Sequence, residues 1–338
     1  MKGVVFTGNR KLELRNFEDP TPGDDEVVIE IKASGMCGSD LHHYRSENPG
    51  DNIAGHEPCG VVVARGRSVS EQAAPTDARV MVHHYDGCRR CNNCLEGWTQ
   101  LCDEGSTVFG RSAHGAHARY QKIPARTLVP LPDGLAFEEG AAISCGTGTA
   151  YGAIRRMEMQ AGAKVAVYGQ GPVGLSATML AASMGAEVYA VDIDAGRLKT
   201  AGTFGAASLV DASKDDPVSA IKELSGGLGA DYVIECSGAP EASSAAVQSA
   251  KTWGTVCFVG IGGPATYHVN RDIIHKQLTL HGSWTFSVTG QADCARYVAE
   301  KKLPVRDLFT HSFKLDDAVA AYELFDTQTT GKAVIFPS

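Results

Sequence analysis

Residues 164–192 read KVAVYGQGPVGLSATMLAASMGAEVYAVD: a short β-branched run, a glycine turn, a helical stretch and a second β-rich run. Val173, Ala177, Leu180 and Met184 recur at helical spacing, and Gly169, Gly171 and Gly174 fall between strand and helix. In that setting the first glycine permits a tight turn, the second lets backbone approach a pyrophosphate, and the third lets the helix pack closely on the sheet. With Pro172 and Val173 at its start, the helix would offer free N–H groups and the positive end of its dipole to phosphate. Asp192 ends the second strand, near the roughly 20-residue offset of a carboxylate that binds ribose hydroxyls. It would repel a 2′-phosphate, which favours NAD over NADP, with Arg197 nearby as the opposing charge.

Outward from this unit, six apolar runs alternate with helical stretches: KVAVYG, EVYAVD, ASLVDA, DYVIECSG, TVCFVGIGG and LTLHGSW. That alternation predicts an α/β fold with a parallel, doubly wound sheet. Before about residue 135 the style differs, with short β runs such as EVVIEIKASG and GVVVARG broken by Gly, Pro and Asp. After about residue 285 come an amphipathic stretch, DDAVAAYELF, and the β-like KAVIFP. At 338 residues two domains are expected. They are placed at 1–147 with 285–338, a β-rich domain, and at 148–284, a dinucleotide-binding domain inserted before the last segment.

A formal charge of −8 argues against binding to nucleic-acid backbones. No apolar run approaches the roughly 18–20 residues of a membrane span, and the N-terminus lacks a signal peptide's apolar core. A cytoplasmic protein is therefore expected, and its ten cysteines read as metal ligands or buried apolar residues, not disulfides. Four of them, Cys88, Cys91, Cys94 and Cys102, crowd the stretch GCRRCNNCLEGWTQLC. Their C-x2-C-x2-C-x7-C spacing suits one zinc ion in a closed, structural site. An iron–sulfur cluster and plain reduced thiols are the alternatives, while Arg89 and Arg90 are too little basic charge for a nucleic-acid ribbon.

Three further pieces, SGMCGSDLHHY (34–44), AGHEPCGVV (54–62) and AAISCGTGTAY (141–151), complete a pattern with the cysteine loop and the glycine turn. In order and content the sequence resembles the zinc-containing medium-chain alcohol dehydrogenases over essentially its whole length. The resemblance implies a GroES-like β domain, a Rossmann domain and two zinc ions per chain. Cys37, His56 and Cys145 would hold the catalytic zinc, with a fourth position open. Glu57 would sit beside that metal as an alternate ligand, and Asp40 would orient His56. Singly, each of these residues has a plainer reading, as a small packed cysteine or a satisfied core histidine; Cys59, Cys236, Cys257 and Cys294 keep that reading.

By the same resemblance Ser39 takes the alcohol proton and His42 passes it toward solvent, a hydroxyl and an imidazole being suited to a relay. Thr149 is placed beside the nicotinamide, Val259 and Ile261 on its carboxamide side, and Lys332 near the pyrophosphate. Polyol dehydrogenases of the family carry a glutamate near the third metal ligand, where this chain has Ser144 and Cys145, and no arginine cluster is apparent. The expected reaction is therefore NAD-linked interconversion of a neutral primary or secondary alcohol with its aldehyde or ketone. A polyol dehydrogenase and a non-catalytic zinc- and NAD(H)-binding sensor are the alternatives. Neither nucleic acid nor membrane is an expected partner, and family likeness implies a homo-oligomer, a tetramer before a dimer.

Overall fold

The computed structural model describes residues 1–329 and 331–337. The chain divides into two compact units, Met1–Gly148 with Ser287–Ser338, and Thr149–Phe286.

The first unit is organised by the strand Glu26–Met36, whose Val27, Ile29, Ile31 and Ala33 are fully buried. It pairs antiparallel with Glu57–Arg65 along one edge. Along the other edge it pairs first with Tyr120–Pro124 and then with the last strand, Lys332–Phe336. The sheet continues from Glu57–Arg65 through Arg79–Val82 to Leu128–Pro130, and from Lys332–Phe336 to Phe309–Lys314. The chain's final segment is thus an integral part of the sheet that begins near its start. One core packs Val27, Ile29 and Ile31 against Val62, Val80, Val82 and Ile123. A second gathers Val4, Phe6, Met36, Leu41 and Tyr44 with Tyr322, Phe325 and Ile335. At roughly 1.5–3 kcal/mol for each large buried side chain, this second core fixes the short helix Asp40–Arg45 directly after Cys37.

The second unit is a six-stranded sheet in the order 206–211, 187–192, 164–168, 230–235, 250–258, 279–282, with every pair parallel. Each of the six runs picked out in the sequence contributes one strand. Its helices start as their sequences dictate: Pro172, Pro217 and Pro240 occupy first-turn positions where a missing N–H costs nothing. Asp194 and Asp216 cap the helices Ala195–Thr203 and Pro217–Leu224 by accepting backbone N–H bonds. Strand order reverses beside 164–168, the topological switch point where ligands settle in such sheets. No helix among the described residues is long and apolar enough to cross a membrane.

Candidate metal and cofactor sites

Cys37 follows the central strand, and the chain turns at once into the helix Asp40–Arg45, its Cys37 N–H donating to Asp40 Oδ2 at 2.9 Å. His56 enters at the start of the next strand, Glu57–Arg65, and Cys145 follows the helix Phe137–Ile143. These segments bring Cys37, His56, Glu57 and Cys145 together with their ligand atoms all within 4.8 Å of one another. The Cys37 and Cys145 sulfurs are 3.8 Å apart. His56 donates from Nδ1 to Asp40 Oδ1 at 2.7 Å, which leaves Nε2 for the cluster. Ser39 donates to Cys37 Sγ at 3.3 Å and lies 3.4 Å from His56 Nε2.

The electrostatics follow from crowding. A hydrogen bond from Cys145 holds the Cys37 thiol well below its usual range, despite burial, and the same contact with burial pushes Cys145 up. Burial opposes ionisation of Asp40, yet the charge of His56 and the bond to it bring the carboxyl down to about 2. His56 is correspondingly raised: burial, the largest influence, lowers it, but Asp40 and Cys37 together outweigh burial. Burial pushes Glu57 up to about 7, and its Oε1 has no hydrogen-bond partner among the described residues. Two thiols, an imidazole and an under-satisfied buried carboxylate converging on one point are a donor set that fits a zinc ion.

Cys88, Cys91, Cys94 and Cys102 converge in the same way, again within 4.8 Å. Backbone N–H groups of Cys88 and Cys91 donate to the sulfurs of Cys102 and Cys88 at 3.3 and 3.4 Å. Such bonds stabilise thiolates, and Cys91 is lowered to about 7 chiefly by a backbone bond near Asp103. A side chain at Gly87 would come within 2.4 Å of Cys94 Sγ, so the loop is closed around its thiols. This set fits a four-sulfur structural zinc site.

In the second unit Gly169 has φ of +81°, and a Cβ on Gly174 would lie 1.7 Å from Gly169 O. A Cβ on Gly171 would meet nothing within 4 Å. The helix Pro172–Ser183 has no side-chain cap at its N-terminus, so the open space at Gly171 faces a seat suited to pyrophosphate. Asp192 is buried and held by backbone N–H bonds from Gln170 (2.5 Å) and Asp194 (2.9 Å). Arg197 donates its backbone N–H to Asp194. Thr149 is buried, Val259 half-buried and Ile261 exposed. In the first unit, Ser39 and His42 lie exposed on either side of the helix start, linked by the His42 N–H to Ser39 O bond of 3.3 Å.

Lys332, which the resemblance places near the pyrophosphate, has its ammonium buried, 2.5 Å from Glu57 Oε2 and 3.3 Å from Met36 O. The cause is register: Lys332 opens the last strand, whose pairing with Glu26–Met36 carries it beneath the metal cluster. The sequence reading also passed over the buried His84, whose ring lies 5.0 Å from that of His56 and whose Nδ1 contacts Ser144 O at 3.1 Å. The paired histidines before the cysteine loop were its only sequence signal. His117 was missed too; it bridges Ser34 Oγ (2.7 Å) and the Tyr322 hydroxyl (2.8 Å) behind the cluster.

Against known proteins, the alcohol dehydrogenase GroES-like domain family matches residues 23–133 and the zinc-binding dehydrogenase family matches residues 172–301. An uncharacterised zinc-type alcohol dehydrogenase-like protein of Escherichia coli, YphC, is 37% identical over 100% of this chain and 99% of its own. Sorbitol dehydrogenase 1 of Saccharomyces cerevisiae is 34% identical over 94% and 91%. A solved zinc-binding dehydrogenase from Sinorhizobium meliloti, bound to NADP, superimposes with a TM-score of 0.91 at 27% identity, over 99% of each chain. The two-unit fold and its converging thiols are those of a zinc-type oxidoreductase. The chain belongs to the zinc-containing medium-chain dehydrogenase family.

Proposed function

We propose that the protein oxidises a secondary or primary alcohol to the ketone or aldehyde, and runs the reverse reduction, with NAD. The observation that carries this reading is the convergence of Cys37, His56 and Cys145 with the Ser39 hydroxyl on two of them. In the balanced reaction an alcohol and NAD⁺ give a carbonyl, NADH and one proton. Zinc, when bound by Cys37, His56 and Cys145, supplies a Lewis acid for the alcohol oxygen, and NAD, when bound at the glycine turn, supplies the hydride acceptor.

The side chains do the rest. Ser39, whose hydroxyl lies 3.3 Å from Cys37 Sγ and 3.4 Å from His56 Nε2, would take the alcohol proton, since a hydroxyl both accepts and donates. His42, exposed beyond it, hands that proton to solvent. Asp40 fixes the His56 ring by its Nδ1 bond and keeps Nε2 toward the donor set. Asp192, held rigidly by two N–H bonds, would accept the adenosine ribose hydroxyls and repel a 2′-phosphate, which supports NAD over NADP. Cys145 stands where polyol enzymes carry glutamate, yet the likeness to sorbitol dehydrogenase keeps polyhydroxylated substrates within this reading.

The test is NADH formation by zinc-loaded protein across primary, secondary, aromatic and polyhydroxy alcohols, with NADP run in parallel. Turnover with NAD that disappears in Cys37→Ser, the fold being kept, is the expected result. Zinc and NAD binding without turnover of any alcohol would instead favour the sensor reading.

A further inference from the structure

Beside His56 the chain turns through Gly110, which has φ of +89°. A Cβ there would lie 2.5 Å from Gly55 O and 3.2 Å from the His56 nitrogen, so the turn rests on the backbone of the metal-site histidine. It is tied down on both sides: Phe109 N–H donates to His84 O at 3.0 Å, and Ala116 N–H to Gly55 O at 2.9 Å. The next residue is Arg111. Its Nε–H donates to Nε2 of His43, on the helix that begins just after Cys37 and Ser39. Burial, with Arg111 adding to it, lowers the pKa of His43, so the ring stands as a neutral acceptor.

Arg111 has no carboxylate partner among the described residues, whereas Arg45, Arg89, Arg90 and Arg126 of the same unit are each paired with one. It is also exposed. A guanidinium gripped through Nε presents its two terminal nitrogens as a fork, the geometry that fits a carboxylate with two parallel bonds. Tyr85 packs beside the metal set: its ring lies 4.3 Å from that of His84, which lies 5.0 Å from that of His56. The phenol senses both ends, Cys145 and Cys37 raising its pKa, after burial, and Arg111 lowering it.

The geometry points to Arg111, oriented by His43, as the seat of a carboxylate on the substrate, so that the substrate is a hydroxy acid and not a neutral alcohol. This rests on the dehydrogenase reading above and replaces the neutral substrate expected from sequence. The carbinol carbon goes to the metal cluster, and the carboxylate, a few bonds away along the same chain, goes to Arg111. In a chain of net charge −8, an unpaired cation at this point also draws an anion against the general field.

The test compares four matched pairs with NAD and zinc-loaded protein: glycerol and glycerate, threitol and threonate, sorbitol and gluconate, galactitol and galactonate. Within each pair one end changes from CH2OH to carboxylate. At least one acid is expected to exceed its neutral partner about tenfold or more in kcat/KM. Arg111→Gln should erase that preference, mainly by raising KM for the acid, and Arg111→Lys should restore only part, since a point charge lacks the fork. Zinc content and circular dichroism of the variants establish that the fold is intact. Turnover of neutral partners alone, or an acid preference that survives Arg111→Gln, overturns the carboxylate seat and leaves the dehydrogenase standing. No turnover of any compound, here or in the broader alcohol panel, overturns the dehydrogenase reading and this inference with it.

Discussion

Lys332 and Glu57 set opposite charges 2.5 Å apart where neither side chain is more than 2% exposed. Removing two ions from water is expensive, and only their mutual attraction offsets it, so such a pair fails badly when one member is lost. Burial already pushes Glu57 up to about 7, while for Lys332 burial, the largest influence, is outweighed by Glu57 together with Cys37 and Cys145, so its pKa is raised. Lys332→Met is therefore expected to cost about 3–5 kcal/mol in urea unfolding of the zinc-loaded protein, because it strands a buried carboxylate. Adding Glu57→Gln should recover most of that loss. Equal damage from the single and double variants would show that packing, not charge, decides the site. The sequence named both residues but not their pairing. A lysine at the start of an edge-like run reads as solvated, and only the antiparallel register of the last strand brings it under Glu57.

Among the elements, the glycine turn separates two kinds of constraint. Gly171 opens on empty space, whereas Gly174 is pressed against Gly169 O. Gly171→Ala should therefore keep its melting temperature but weaken NADH binding, by on the order of tenfold, because a methyl group enters the phosphate seat. Gly174→Ala should lose stability as well, by about 1–3 kcal/mol, because the helix must move off the sheet. Fluorescence titration and thermal melting distinguish them; matching effects in the two variants would contradict this division. The cysteine loop invites a similar contrast. Cys94→Ser should release one zinc ion and destabilise the first unit, while Cys37→Ser should remove turnover with the fold retained. Zinc analysis with unfolding curves checks this, and equal structural loss from both would refute it.

What was legible at this scale had strong local signals. The six parallel strands announced themselves as β-branched runs between helices, and the converging donors Cys37, His56, Glu57 and Cys145 each lay in a compact motif. What was hidden came from tertiary placement. His84 sits in the bend between the strands Arg79–Val82 and Tyr85–Asp86, Tyr85 opens the second of them, Tyr322 is on a helix that reads only as amphipathic, and Arg111 is in a loop. None gains meaning until the sheet folds them toward His56.

For the whole molecule, acid stability turns on histidines that fold as neutral rings. Burial pushes His83 and His117 down to about 4 and His84 well below its usual value. In the unfolded chain each would titrate near 6.5. Between about pH 6.5 and 4 the unfolded state thus binds more protons, so stability is complete above that window and falls as the pH drops through it. His83 and His117 each contribute on the order of 3 kcal/mol, and His84 adds in the same direction. Glu57 acts with the opposite sign, since a carboxyl raised to about 7 favours the folded state as protons are added. His56 and Glu139 share that sign, their pKa values being raised as well, while His43 and His114, both lowered, side with the three buried rings. His117→Asn isolates one contribution, because protonation of the metal ligands is common to both proteins and cancels in the comparison. Losing the bonds to Ser34 and Tyr322 should lower stability at every pH. The further expectation is in the slope: from about pH 6.5 down to about pH 4.5, urea unfolding of the variant should fall less steeply, by roughly one proton. Parallel curves for the two proteins would mean that His117 is not held neutral in the fold, and the acid sensitivity would then belong to the metal ligands.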